Sequence, residues 1–183
     1  IIATEDKIIQ DLANENDYLS IVTSSHYTCT HRVAEVAGSL LADFIFNLQG
    51  DEPLTDPKWI DDMIVYGIDN NIDVLQSSRK LEKGEINDED VVKMIVNNGK
   101  VVHMQRECDV VCDNVITQLG LYLYKRHVII DFPNLDMTFV KYWNGLDTIG
   151  FIGRYDVIPF DLHCGKIRAV DRPSHIYEVE EQL

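Results

Sequence analysis

Positive charge is scarce in this chain of 183 residues. It has 16 lysines and arginines against 31 aspartates and glutamates, and its formal net charge is −15 at pH 7. Nonspecific binding to nucleic acid depends on basic side chains that neutralise phosphates, so the composition argues against a nucleic-acid-binding protein. A phosphorylated substrate must instead be received by a few local cations or by a metal ion.

Long apolar runs and a signal peptide are also missing from the sequence. A membrane-spanning helix needs about 20 consecutive apolar residues, so no membrane insertion is predicted and the cytoplasm is the expected location. The length suits a single domain with a substantial core. Because the first residue is Ile1 and leads directly into a predicted strand, we expect a fragment, a processed form or a sequence without its natural start.

Cysteines are few and are not arranged in pairs typical of a zinc site. They lie at positions 29, 108, 112 and 164. Cys108 and Cys112 could form a site with His103 and His163, but that spacing matches no established template. Free, partly buried thiols in a reducing cytoplasm are therefore predicted.

Helical and strand periodicities alternate along the chain, which predicts an α/β fold. Asp56 is expected to cap a helix that begins at Pro57 and buries positions 60, 63, 64 and 68. The dipeptide Asn98-Gly99 predicts a hairpin turn. Other helices are predicted at 5–14, 31–42, 133–145 and 173–182, and a charged connection at 79–90. Strands are predicted at 1–4, 18–22, 43–48, 72–75, 91–96, 100–104, 117–124, 157–160 and 166–170.

Residues 47–54 read Asn-Leu-Gln-Gly-Asp-Glu-Pro-Leu and follow a short apolar strand. Ligands of open α/β sheets bind at the carboxyl ends of strands, where Asp51 could hold Mg²⁺. Gly50 would allow a sharp turn. Spacing alone favours the simpler alternative, an ordinary polar turn in which Asp51 is a turn former.

The same octapeptide closely resembles the signature of the 3-deoxy-manno-octulosonate (Kdo) cytidylyltransferases. This resemblance implies a nucleotidyltransferase-type, Rossmann-like mixed sheet flanked by helices, with a β-hairpin and helix insertion, in one domain over residues 1–183. It implies an enzyme that couples CTP to a Kdo-like 2-keto sugar acid. The products would be a CMP-sugar, used in lipopolysaccharide or surface polysaccharide synthesis, and pyrophosphate.

Further segments resemble the family in the same order. The segment 23–36 is similar to its nucleotide-contacting loop and helix, which implies roles in substrate binding for Thr23, Thr30 and Arg32. Cys29 replaces a family glycine, and Ser24 replaces an arginine. Lys93 and Arg106 coincide with a lysine and an arginine of the family hairpin. A solvated strand residue is the simpler interpretation of Lys93.

The resemblance also implies a sugar-acid pocket and a metal site. Gln118 and Tyr122 lie on a strand similar to one that helps form the pocket, although Gln118 replaces a histidine. Asp147 and Thr148 replace a Glu-Gln pair. Asp171 coincides with a second Mg²⁺ ligand, which would make Asp51 and Asp171 the metal and catalytic pair, with Gln49 as a third catalytic side chain. The alternative for Asp171 is a helix cap.

The first β-loop-α unit of the family, which cradles the triphosphate, has no counterpart in this chain. Removing its strand would expose two strand edges. We therefore keep as an alternative a degenerate, inactive homologue that binds a nucleotide or sugar acid or serves as an interaction protein. A related transferase acting on another sugar acid, such as a sialic acid, is a third possibility. The resemblance also implies a homodimer.

Overall fold

The computed structural model describes residues 1–109, 112–135 and 145–182. The strands are β1 (Ile2–Thr4), β2 (Ser20–Val22), β3 (Phe44–Leu48), β4 (Val74–Lys80), β5 (Lys93–Asn97), β6 (Lys100–Gln105), β7 (Val115–Lys125) and β8 (Val157–Asp161). The helices are α1 (Lys7–Glu15), α2 (Cys29–Ser39), α3 (Pro57–Asp69), α4 (Arg126–Asp131) and α5 (His175–Glu180). Short 3₁₀ turns occur at Lys83–Glu85, Phe132–Asn134 and Asp147–Phe151.

The long strand β7 is the centre of a six-stranded sheet. The strand order is β6-β5-β7-β4-β8, and β3 also pairs with β7. Strands β4 and β8 are parallel, whereas the pairings of β7 with β3, β4 and β5 are antiparallel. One apolar cluster includes side chains of α2 and α4, and a second includes side chains of α3. The predicted mixed sheet flanked by helices is therefore confirmed.

A notch in this sheet positions the site described below. Strand β4 pairs along one edge of β7, so β3 and β5 share the other edge. Strand β3 pairs with residues 121–125 and β5 with residues 115–117, which leaves residues 118–120 between them. Those residues bond instead to the two flanking segments, through Gln118 N to Val92 O and Gln49 N to Gly120 O, both at 3.0 Å.

Local signals in the sequence account for several element boundaries. Asp56 is the N-cap of α3 and accepts a hydrogen bond from Lys58 N at 2.8 Å, with Pro57 as the first helical residue. Asn98 and Gly99 have φ angles of 50° and 75°, as a two-residue hairpin turn requires. Both of these predictions are confirmed.

The strands β1 and β2 form a separate, parallel two-stranded sheet. Within the described residues this sheet has no pairing with β3 or any other strand. The adjoining helix α1 is amphipathic, yet Ile8 and Leu12 are 77% and 60% exposed. Parallel sheets are normally covered on both faces, so this unit has apolar surface and strand edges that nothing in the described chain covers.

Some sequence-based predictions were wrong. Strand β4 continues to Lys80 and buries Arg79, although 79–90 was predicted to be a charged connection. The segment 166–170 forms no strand, and the last helix begins at His175 rather than at Pro173. Ile68, predicted on the buried face of α3, is 48% exposed. Most of the helix predicted at 133–145 lies outside the described residues.

Three further findings concern disulfides, metal-binding clusters and membrane-spanning helices. None of the four cysteines, all within the described ranges, forms a disulfide. In the same ranges, His, Cys, Asp and Glu side chains form no cluster of three or more that could hold a metal ion. The described residues therefore give no support to the Cys and His site that was considered from the sequence. No described helix combines the length and apolar character needed to cross a membrane.

Candidate active site

A cavity of about 270 Å³ opens at the notch in the sheet. Seven of the eleven residues predicted for the site line it: Gln49, Asp51, Arg106, Gln118, Tyr122, Asp147 and Asp171. These residues come from the turn after β3, from the residue that follows β6, from β7, from the 3₁₀ turn Asp147–Phe151 and from the segment before α5. The cavity therefore brings together side chains that are up to 122 positions apart in the sequence, from Gln49 to Asp171.

The turn after β3 is clamped onto β7 through Gly120. Gln49 N donates to Gly120 O at 3.0 Å, and Gly120 N donates to the Glu52 Oε1 at 2.6 Å. A Cβ atom at position 120 would lie 2.6 Å from both Gln49 Oε1 and Glu52 Oε1. Glycine is required because the two side chains cover its backbone. Burial raises the pKa of Glu52, a shift that the bond from Gly120 partly opposes.

A backbone hydrogen bond joins Asp51 to the residue before Asp171. Val170 N donates to Asp51 O at 2.8 Å, so the segment that ends in Asp171 runs beside the turn after β3. The pKa of Asp51 is raised, first by burial and further by the negative charge of Asp171. Its Oδ1 is buried and has no hydrogen-bond partner among the described residues.

These observations fit a divalent cation. Two carboxylates that repel each other, one with an unpartnered buried oxygen, are stabilised by a positive charge between them. Mg²⁺ is commonly held by one or two carboxylates together with substrate phosphates. The alternative role for Asp171, capping the last helix, is not what the structure shows, because α5 begins at His175 and Ser174 is its N-cap.

The opposite side of the cavity is built around Tyr122. Gln118 Nε2 donates to the Tyr122 hydroxyl at 2.6 Å. Tyr122 is buried, and its pKa is raised well above the ordinary value by burial, with the nearby charge of Asp147 adding to the shift. Asp147 is itself buried and accepts a hydrogen bond from Thr30 N at 3.2 Å. This side therefore offers a neutral phenol, an amide and a fixed carboxylate, which are groups suited to hydroxyl-rich ligands.

Cys29 joins the two sides of the cavity. Its thiol lies 3.8 Å from Asp147 Oδ2 and accepts a contact from Gln49 Nε2 at 3.6 Å. The pKa of the thiol is raised to about 11, chiefly by desolvation and then by the charge of Asp147. At neutral pH the group is therefore a neutral thiol rather than a thiolate nucleophile.

Four predicted site residues do not line the cavity: Thr23, Thr30, Arg32 and Lys93. Thr30 contributes only its backbone N–H to Asp147. Arg32 pairs with Glu5 at 3.0 Å. The amine of Lys93 donates to the carbonyl oxygens of Asp88 and Arg106, each at 2.6 Å, which buries the side chain completely. The predicted roles of these four residues in substrate binding stay predictions.

Several cavity residues were missed by sequence reasoning. They include Glu52, Arg79, Asp90 and Arg168. Glu52 belongs to the octapeptide, and its position beside Asp51 was a usable signal. Arg79 forms a buried pair with Glu85, and Arg168 contacts Asp88 and Glu178, so acids largely neutralise both cations. No motif in the sequence indicated these ion pairs.

Comparison with known proteins identifies the family of this chain. A family model described as "Cytidylyltransferase" matches residues 1–143. The chain belongs to the cytidylyltransferase family. A 3-deoxy-manno-octulosonate cytidylyltransferase of Trichlorobacter lovleyi is 31% identical over 207 aligned positions, which cover the whole chain and 81% of that relative. The corresponding protein of Solibacter usitatus is 33% identical over 147 positions, covering 74% of the chain and 58% of the relative.

Solved structures show that the fold is that of sugar nucleotidyltransferases. A CMP:2-keto-3-deoxy-manno-octonic acid synthetase complexed with CTP superposes with a TM-score of 0.85 at 21% identity, covering 97% of this chain and 77% of that one. A putative glucose-1-phosphate thymidylyltransferase from Bacillus anthracis superposes with a TM-score of 0.70 at 10% identity, covering 96% and 70%. The family membership established by sequence is thus matched by the fold.

Proposed function

We propose that this family member is a Mg²⁺-dependent cytidylyltransferase that couples CTP to a Kdo-like 2-keto sugar acid. The observation that carries the proposal is the pair Asp51 and Asp171 on one cavity, beside a side built from Gln118, Tyr122 and Asp147. The carboxylate pair suits a metal–nucleotide complex, and the second side suits a polyhydroxylated acid. The relatives that cover the chain carry the same enzyme name.

In the proposed reaction, an anomeric hydroxyl of the sugar acid attacks the α-phosphorus of CTP in line. A new oxygen–phosphorus bond forms, the hydroxyl proton is released to solvent, the bond to the β-phosphate oxygen breaks, and pyrophosphate leaves with the released electron pair. When bound between Asp51 and Asp171, Mg²⁺ would offset the charge of the phosphates and lower the pKa of the attacking hydroxyl. Gln49, held over Gly120, would orient the reacting groups.

The charge on the cavity supports the proposal of a metal ion. Asp51, Glu52, Asp90, Asp147 and Asp171 line it. The lining cations Arg79 and Arg168 are ion-paired to acids. Arg106 also lines the cavity, and among the described residues it forms no ion pair. A triphosphate would therefore meet one unpaired lining cation among several acids, and a divalent ion would offset the remaining repulsion.

We further propose that the complete domain contains a strand between β1 and β3. Its support is the separate β1–β2 sheet and the exposed apolar residues of α1. Such a strand would pair with both edges, and its following loop would lie near the cavity to receive the triphosphate. The intact mass and N-terminal sequence of the natural protein test this. A strand-and-loop segment ahead of Ile1 is expected, whereas a natural chain that starts at Ile1 would contradict it.

A substrate panel tests the proposed activity. Purified natural protein is incubated with Mg²⁺, each ribonucleoside triphosphate, and either Kdo or N-acetylneuraminate, and pyrophosphate is measured. Release is expected with CTP and Kdo and not with the chelator EDTA. Asp51→Asn should abolish it, whereas the exposed control Asp61→Asn should not. Binding of CTP without turnover would favour a ligand-binding homologue, and turnover with N-acetylneuraminate alone would reassign the substrate.

Homodimerisation and a cytoplasmic location also remain proposals. Sedimentation equilibrium of the natural protein should give about twice the chain mass. A single-chain mass over the whole concentration range would contradict a dimer. Fractionation of the source cells should recover the protein with cytoplasmic markers, because CTP is made and used in that compartment.

A further inference from the structure

The segment that carries Asp171 is fastened to the loop before β5 by charged side chains. Arg168 lies with both terminal nitrogens 3.3 Å from Asp88 Oδ2. Arg172 donates to Asp90 Oδ1 at 2.7 Å. The loop is fixed in turn, because Lys93 Nζ donates to Asp88 O. Asp171 therefore lies between two anchored arginines rather than at the end of a free chain.

His175 lies beneath this turn and is only 5% exposed. Its Nδ1 is 3.2 Å from Asp171 N and 3.1 Å from Ala169 O. Its Nε2 is 3.8 Å from Asp90 Oδ2. With the proton on Nε2, Nδ1 accepts the Asp171 N–H, whereas a proton on Nδ1 is donated to Ala169 O. In both tautomers Nδ1 contacts the backbone that carries Asp171, and Nε2 faces Asp90. The ring then bridges the proposed metal ligand and the anchored loop.

We propose that His175 is a positioning residue that holds Asp171 toward Asp51 and thereby sets the affinity of the pair for a divalent cation. This inference rests on the proposed function, since it presumes a metal between the two carboxylates. Side chains that orient metal ligands typically change metal affinity 10- to 100-fold when removed. A buried ring that serves only as packing would affect stability and leave the metal affinity of the folded protein unchanged.

The test is Mn²⁺ binding to the whole protein without nucleotide, followed by electron paramagnetic resonance. His175→Leu fills the space but has no acceptor, and we expect its Kd for Mn²⁺ to rise about tenfold. His175→Asn places an oxygen near the position of Nδ1, and its Kd should stay within about threefold of the wild type. The matched control is His163→Leu, because the His163 side chain is exposed and its ion pair is with Asp161 rather than with Asp51 or Asp171. An unchanged Kd for His175→Leu, or equal losses for Leu and Asn, would overturn the proposal.

A second pair of variants covers the case in which His175 variants fail to fold. Asp90→Asn keeps an acceptor for Arg172, whereas Asp90→Ala does not. Weak Mn²⁺ binding by Asp90→Ala alone is expected, and equal effects of both variants would indicate a loss of charge rather than of position. Asp51→Asn separates the two claims. If Asp51→Asn binds Mn²⁺ as tightly as the wild type, the proposed metal site is wrong. If Asp51→Asn binds Mn²⁺ more weakly but His175→Leu does not, only the positioning role of His175 is refuted.

Discussion

Arg79 and Glu85 form a buried ion pair at the edge of the cavity, and breaking it should cost much of the protein's stability. Arg79 donates to Glu85 through Nη1 at 2.8 Å and Nη2 at 2.5 Å, and the side chains are 2% and 3% exposed. Removing one partner of a buried pair costs about 3–5 kcal/mol, because the other charge is left unpaired. Arg79→Met should lose that amount, out of a typical total of about 5–15 kcal/mol.

The pH dependence of this loss has a defined sign. Burial alone would raise the pKa of Glu85, but the hydrogen bonds and charge of Arg79 outweigh it and lower the pKa. The wild-type pair therefore stabilises the fold above the ordinary glutamate pKa and loses that contribution as the pH falls through the lowered value. In Arg79→Met, burial raises the pKa of Glu85 instead, so its penalty shrinks as the pH falls toward the ordinary value.

Urea unfolding followed by circular dichroism measures these free energies. The deficit of Arg79→Met should be smaller at about pH 5.5 than at about pH 7.5. The double variant Arg79→Met/Glu85→Gln should recover most of the stability, because it buries no charge and keeps an acceptor for the Glu82 N–H. A deficit below about 1 kcal/mol in the single variant would refute the reasoning. So would a double variant as unstable as the single one.

Three further predictions concern the site and the sheet. Asp51→Asn should leave the ligand-free protein at least as stable as the wild type in thermal unfolding, because it removes repulsion from Asp171, and a large loss of stability would contradict this. Gly120→Ala should displace Glu52 and Gln49, because the added Cβ would clash with both side chains. Turnover should fall on the order of tenfold or more, as expected for misplaced catalytic groups, and wild-type kinetics would refute the clamp. Gly99→Ala should destabilise the hairpin by about 1 kcal/mol in urea unfolding, since its φ is 75°, and an unchanged midpoint would count against a strained turn.

Features fixed by neighbouring residues could be predicted from the sequence. The cap at Asp56, the helix start at Pro57 and the Asn98-Gly99 turn depend on hydrogen bonds and φ angles within a few residues. The octapeptide 47–54 overlaps the end of β3 at Leu48, so the site could be placed at the carboxyl end of that strand. Local periodicity predicted an α/β fold, whereas the mixed sheet was implied by the family resemblance.

Features that depend on distant partners were missed. The charge of Arg79 suggested an exposed connection, but Glu85 neutralises it and allows β4 to continue into the core. Lys93 was predicted to bind substrate, and the bonds of its amine to the carbonyl oxygens of Asp88 and Arg106 could not be anticipated from the sequence. Nothing in the residues around Asp171 indicated that Asp51 O would fix the neighbouring Val170, because that contact joins segments 119 positions apart in the sequence.

Phosphorus NMR of the reaction catalysed by the natural protein tests the central proposal most directly. With CTP, Kdo and Mg²⁺, we expect a CMP phosphodiester resonance and a pyrophosphate resonance to appear in equal amounts while the CTP signals decline. Neither product should form with Asp51→Asn. Persistence of the CTP signals with the wild-type protein, or release of pyrophosphate without the phosphodiester, would contradict coupling of the nucleotide to a sugar acid at this site.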